Sequence, residues 1–316
     1  MTWSVGALAA VVLWSTAGPR ALRAFQEGTG ASARAALALW TLTTVVWPLA
    51  CALLLATLAT RVMGPGVKAV VAACVDLFQA VQQNGAQGGV AVAGLLGVLG
   101  LARLSWTAAR RARRRRTWTR EHGRALAVQA HRRTLHLDRV WLVERPAPAA
   151  YCVPGRRFGI VVTRGALDRL TGPELRAVLA HERAHLRGRH HLLVTWTRLL
   201  DTAFPGVPLL RAAAREVPEL VEWVADDHAA RQEGPGALAH ALGIMAGAGE
   251  RGPDAALAVT GACPVRRVRR QVRPAPPPTA GRGAYAVAAL AVLLPLALTA
   301  VATVLNVVLP HCECVG

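Results

Sequence analysis

Long apolar runs separated by arginine-rich stretches organise the chain. Four runs approach the length needed to cross a bilayer: residues 2–18, 35–59, 88–109 and 284–309. About 20 apolar residues at ~1.5 Å each cross a hydrocarbon core of ~30 Å, so the first run is the shortest candidate. It has neither a basic leader nor a clear small-x-small cleavage site, which predicts a retained helix rather than a signal peptide. Residues 67–83 are apolar on one side but carry Lys68, Asp76 and several glutamines, as an amphipathic helix lying at the membrane surface would.

Between the third and fourth runs the pattern becomes that of a folded domain, residues 110–273. It predicts a helix over 117–135, then short strands over 140–144 and 158–163 with a strand end and turn at 151–155 between them. Thr171-x-x-Glu174 is a capping-box signature and opens a helix running to about Gly188. Helices over 191–204 and 212–232 follow. Residues 274–283, rich in proline and glycine, read as a linker to the fourth run, and 310–316 form a short tail. The fold class expected is an α-helical membrane protein with three spans in residues 1–109, an α+β domain and a fourth span.

Composition supports this picture: 53% of residues are hydrophobic and the formal charge is +19. No nucleic-acid recognition motif accompanies the charge, and direct nucleic-acid binding is not expected. Arg110, Arg111, Arg113, Arg114, Arg115 and Arg116 follow the third run directly, a cytoplasmic flank under the positive-inside rule. Arg103, near the inner end of that run, is expected to snorkel to the interface. Alternating the sides puts the N- and C-termini outside and the domain in the cytoplasm, with the bilayer as a standing partner. The six scattered cysteines form no CxxC pair, so neither a disulfide scaffold nor a zinc ribbon is indicated.

The chemistry concentrates at His181-Glu182-Arg183-Ala184-His185. Residues four apart share one helix face, so His181 and His185 can offer two imidazole nitrogens to one metal ion. The HExxH pattern belongs to zinc proteases, in which zinc lowers a water's pKa towards ~7 and the glutamate, here Glu182, takes the proton. Two surface histidines among Arg176, Arg183, Arg187 and Arg189 are the plain alternative. The strand over 158–162 is expected to line the cleft and pair with substrate backbone. Catalytic zinc needs a third protein ligand, for which Glu222 is the candidate, with Glu219, Asp227 and His228 competing. Asp226, one turn beyond Glu222, is placed to accept a hydrogen bond from a ligand histidine.

His181 to His185 together with Glu222-x-x-Ala225-Asp226 resemble the gluzincin pattern of two membrane families, the HtpX/Ste-type and the BlaR/MecR-type peptidases. Ala150 to Gly155, the strand after it, Thr171 to Leu175 and His181 to His191 resemble the second more closely, over about residues 135–232. The resemblance implies a zinc metalloendopeptidase with zinc on His181, His185 and Glu222, Glu182 as base and Asp226 in support. It implies a cytoplasmic protein substrate, such as a winged-helix repressor of the BlaI/MecI type. Antibiotic-sensing members carry an extracellular penicillin-binding domain where this sequence has only the tail 310–316, so direct β-lactam sensing is not expected. The alternatives are HtpX-like quality control of membrane proteins and a catalytically silent transducer, against which an intact Glu182 argues.

Other residues carry less. His190 and His191 fall off the His185 face and are expected to cap the helix or lie on the surface. Cys152 reads as a small buried apolar residue rather than a nucleophile. The tail His311-Cys312-Glu313-Cys314 leaves intermolecular bridging, pairing with Cys74 or weak metal binding open.

Overall fold

The computed structural model describes residues 2–63, 95, 97–114, 117, 121, 130–135, 138–153, 159–247, 263–273 and 282–308. Helix α1 covers Thr2–Thr29 and α2 Ala33–Met63; residues 97–114 form α3, and α10 covers Arg282–Val308. Three helical segments among the described residues are long and apolar enough to cross a membrane: Val5–Thr29, Ala33–Thr57 and Gly283–Leu305. Of the third expected span, residues 95 and 97–109 are described and helical, whereas 67–83, most of the 274–283 linker, and the tail lie outside the described residues. Helix α1 runs eleven residues past the apolar stretch expected to end at Gly18. Leu22 is buried there and Phe25 packs against the same core, so tertiary contacts continue the helix beyond the apolar stretch. The Arg103 Nη2 donates to the Thr202 carbonyl at 3.3 Å.

A four-stranded sheet sits beside this bundle: β1 (Ala130–Leu135), β2 (Asp138–Val143), β3 (Ala150–Cys152) and β4 (Ile160–Thr163), in the order β1-β2-β4-β3. Among the described residues only the β2–β4 pair is parallel. Strand β1 corrects the expected helix over 117–135. Leu135 pairs with Asp138 and Ala130 with Val143, so a tight hairpin claims the end of that stretch. Its His131, Arg132, Arg133 and Thr134 are exposed, so the strand has no apolar alternation to read; edge strands of this kind are kept polar.

Seven helices complete the domain and its return to the membrane: α4 (Arg164–Arg169), α5 (Gly172–Arg187), α6 (His190–Ala203), α7 (Pro208–Glu233), α8 (Pro235–Gly247), α9 (Pro264–Val272) and finally α10. Among the described residues, the two largest apolar cores are these. Val140, Ile160 and Val162 of the sheet bury against Leu175, Val178 and Leu179 of α5 and Ala241 of α8. Leu209, Leu210, Ala213, Val217, Leu220 and Val221 of α7 bury among Leu22, Leu37, Trp40, Trp47 and Val292 of the candidate spans.

Candidate metal centre

Helix α5 begins at the expected capping box. Glu174 Oε2 accepts the Thr171 N–H at 2.8 Å, and Pro173 sits in the first turn, where a missing N–H costs nothing. One face of α5 fills the sheet core; the next carries His181, Glu182 and His185, all buried. Helix α7 lies across it and presents Glu222 and Asp226, also buried.

His181 Nε2 lies 3.0 Å from His185 Nε2, and Glu222 Oε2 and Oε1 lie 3.5 Å from those two nitrogens respectively. The three donor groups fall within 4.8 Å of one another. Bonds of ~2.0–2.1 Å to a tetrahedral zinc put ligand atoms about 3.3 Å apart, so the spacing fits. The donor chemistry fits as well: Glu222 Oε2 is buried without a hydrogen-bond donor in proper geometry, and two imidazole nitrogens face each other. The competing candidates are engaged elsewhere or stand outside the triad: Glu219 pairs with Arg266 at 2.9 Å, Asp227 with Arg270, and half-buried His228 is absent from the group.

Electrostatics hold the Glu222 carboxyl in its ligating form and load His181 with a proton that a bound metal would displace. Burial opposes charge on Glu222, but His185, His181 and Arg267 outweigh it and keep the carboxyl well below its usual range. Asp226 Oδ1 sits 3.0 Å from His181 Nδ1. Burial would depress the His181 imidazole, yet the hydrogen bonds to Asp226 and Glu222 raise it to about 9. Asp226 thus lies on the far side of His181 from Glu222, which leaves Nε2 facing the centre.

Three features lay outside the sequence reading. His190 is buried, and its Nδ1 lies 2.9 Å from His185 Nδ1; this corrects the capping or surface role expected for it. Arg189 adopts the left-handed region (φ 48°) and turns the chain back, while a Cβ at Gly188 would lie 2.3 Å from His190 Nε2. Burial and the neighbouring His185 push His190 down to about 3, so it meets His185 as a neutral ring. Cys152 is buried as expected, but its Sγ donates to Glu182 Oε2 at 3.0 Å. Burial and the Glu182 charge push that thiol far up, so it acts as a donor and not as a nucleophile. Arg267 of α9 reaches the centre with its Nε 2.8 Å from Asp226 Oδ2, Nη2 2.6 Å from Asp226 Oδ1 and Nη1 3.2 Å from Glu222 Oε2.

The strand expected to meet substrate is also corrected. Strand β4 is paired on both sides, by β2 and β3, and has no free edge. The strand edge beside Glu182 belongs to β3, which among the described residues pairs with a strand on one side only.

Residues 113–218 match the family model of Peptidase family M48. The match contains His181 to His185 and stops before Glu222. The protease HtpX of Legionella pneumophila (strain Corby) is 37% identical over 81 residues, 25% of this chain and 29% of that protein. The plastoglobule-localized metallopeptidase 48 of Arabidopsis thaliana is 34% identical over 89 residues, 27% of this chain and 26% of that protein. The chain therefore spans little more than a quarter of the length of these relatives. No solved structure matches.

Proposed function

We propose that the chain is a membrane-anchored, zinc-dependent endopeptidase. The observation that carries this reading is the convergence of His181, His185 and Glu222, from two helices, into one buried group of donors. Zinc held there would supply Lewis acidity, polarising a carbonyl and acidifying a water towards ~7. The chain's own residues supply the rest. Glu182, steadied by the Cys152 thiol, is the general base. Asp226 and His190 fix the outer nitrogens of His181 and His185 and so orient their Nε2 atoms. The β3 edge, which among the described residues pairs with a strand on one side only, would take an extended peptide next to Glu182.

Elemental analysis should find one zinc per chain, and Glu222→Ala should lose it; unchanged zinc content and affinity in that variant would remove Glu222 from the site. The arginine asymmetry further supports cytoplasmic placement of the domain, with both termini outside. A cysteine introduced at Gly234 should then stay unlabelled by an impermeant reagent in intact cells.

Two substrate readings follow. Quality control of membrane proteins fits the similarity to HtpX at least as well as cleavage of a BlaI/MecI-type repressor fits the resemblance over 150–191. Incubating the purified chain with a small winged-helix repressor and, separately, with a misfolded membrane protein distinguishes them by which one is cut.

A further inference from the structure

Helix α9 is a short arginine-rich helix whose side chains reach α7 at several points. Arg266 pairs with Glu219 at 2.9 Å, and Arg270 Nη2 lies 3.0 Å from Asp227 Oδ2; these pairs are partly exposed. Arg267, between them, is different. Its side chain is 4% exposed and meets two carboxylates that are 4% and 0% exposed. Glu222 and Asp226 sit one turn apart on α7, both buried away from water. Two buried carboxylates that close repel each other and lack hydration, so they require a buried cation. A metal on His181, His185 and Glu222 would touch only one of them. The guanidinium fork touches both, with two parallel donors on Asp226 and a third nitrogen on Glu222.

We propose that Arg267 is the positioning residue that keeps the metal centre assembled in the absence of the metal. It is a fixed cation that holds Glu222 and Asp226 in register, so that the fold around the site does not depend on loading. The proposal rests on the reading that His181, His185 and Glu222 take zinc. It differs from simple anchoring of α9, because Arg266 and Arg270 anchor the same helix without touching a ligand. Lysine cannot replace the arginine here, since a single ammonium cannot serve both carboxylates in this geometry.

The test uses the full chain in lipid nanodiscs and measures three quantities: zinc content, zinc affinity by competition with a chromophoric chelator, and melting temperature with and without EDTA. In the wild type, EDTA should strip zinc with a small change in melting temperature. In Arg267→Gln, zinc affinity should fall about 10–100-fold. EDTA should lower that variant's melting temperature on the order of 10 °C more than it lowers the wild type's, because no cation then remains between the carboxylates. Arg267→Lys should recover much of the melting temperature but little of the zinc affinity, and it serves alone if the glutamine variant does not accumulate. Arg266→Gln and Arg270→Gln should leave zinc affinity and the EDTA response as in the wild type. Equal EDTA responses and equal affinities in the wild type and Arg267→Gln, or wild-type zinc affinity in Arg267→Lys, would overturn the proposal. A wild-type chain that takes up no zinc would overturn the reading beneath it, and metal analysis shows that before any variant is made.

Discussion

The two helices that build the centre are held in different ways. Helix α5 is placed by its own domain: a capping box fixes its start, and Leu175, Val178 and Leu179 bury against β2, β4 and α8. Helix α7 packs on α5, with Ala229 against Ala177 and Ala180, and is also held from outside that core. Its first half packs among Leu22, Leu37, Trp40 and Trp47 of the candidate spans, and its second half is gripped by Arg266, Arg267 and Arg270 of α9. His181 and His185 therefore belong to the domain, whereas Glu222 belongs to the junction between domain and membrane. The centre is complete only when both halves are in register.

The largest expected effect separates the chemistry of α5 from ligation by α7. Glu182→Gln should reduce cleavage by at least 10²–10⁴-fold, the usual contribution of a general base, while zinc content and melting temperature stay near wild type. Glutamine is nearly isosteric and keeps the contact with Cys152, but it cannot take up a proton. Cleavage measured beside metal content decides the matter. A variant that still cleaves at the wild-type rate would show that Glu182 is not the base, and one that loses zinc would place it among the ligands.

This division also explains what the sequence made legible. Everything set by short-range pattern was readable: the HExxH spacing, the Thr171 to Glu174 cap, and the strands over β2 and β4. Glu222 could be nominated because zinc chemistry demands a third ligand and an acidic helix lay downstream, and it stands beside His181 and His185. Arg267 could not be nominated, because it is one of four arginines in Arg266-Arg267-Val268-Arg269-Arg270, and its partner Asp226 lies 41 residues away. His190 was missed for a backbone reason: spacing on a straight helix puts it off the His185 face, and only the left-handed turn at Arg189 brings it back. Strand β1 was missed because its pairing with β2, not its side-chain pattern, makes it a strand.

A smaller effect tests how local the placement of α5 is. Thr171→Ala should cost about 1 kcal/mol, the usual worth of an N-cap, and should leave zinc affinity unchanged. The cap also has a pH signature. The Thr171 N–H, helped by His240, holds the Glu174 carboxyl below its ordinary value of 4.5. A group depressed in the folded state adds stability above its unfolded pKa and loses it as pH falls through the folded value. Melting temperature should therefore drop on acidification below about 4.5, and Glu174→Gln should flatten that limb. An unchanged acid limb in the variant would show that the cap does not set it.

The smallest effect bears on α7. Arg23 of α1 meets Glu216 of α7 at 2.8 Å, but the two side chains are 44% and 26% exposed. Pairs of this kind contribute about 0–1 kcal/mol, since water screens the charges and two long side chains lose freedom in holding one geometry. The neighbours on both helices do more: Leu22 and Val217 are buried in the core that joins α7 to the spans. If apolar packing places α7, Arg23→Gln should lower the melting temperature by at most about 2–4 °C and leave zinc affinity as it was. The small loss should fade in 1 M salt, where the screening length falls to ~3 Å and the wild-type pair is itself weakened. If instead Arg23→Gln loosens zinc binding, the ion pair and not the apolar contact carries the register of Glu222. The membrane bundle would then hold the centre through one exposed salt bridge, and α7 would respond to ionic strength as α5 does not.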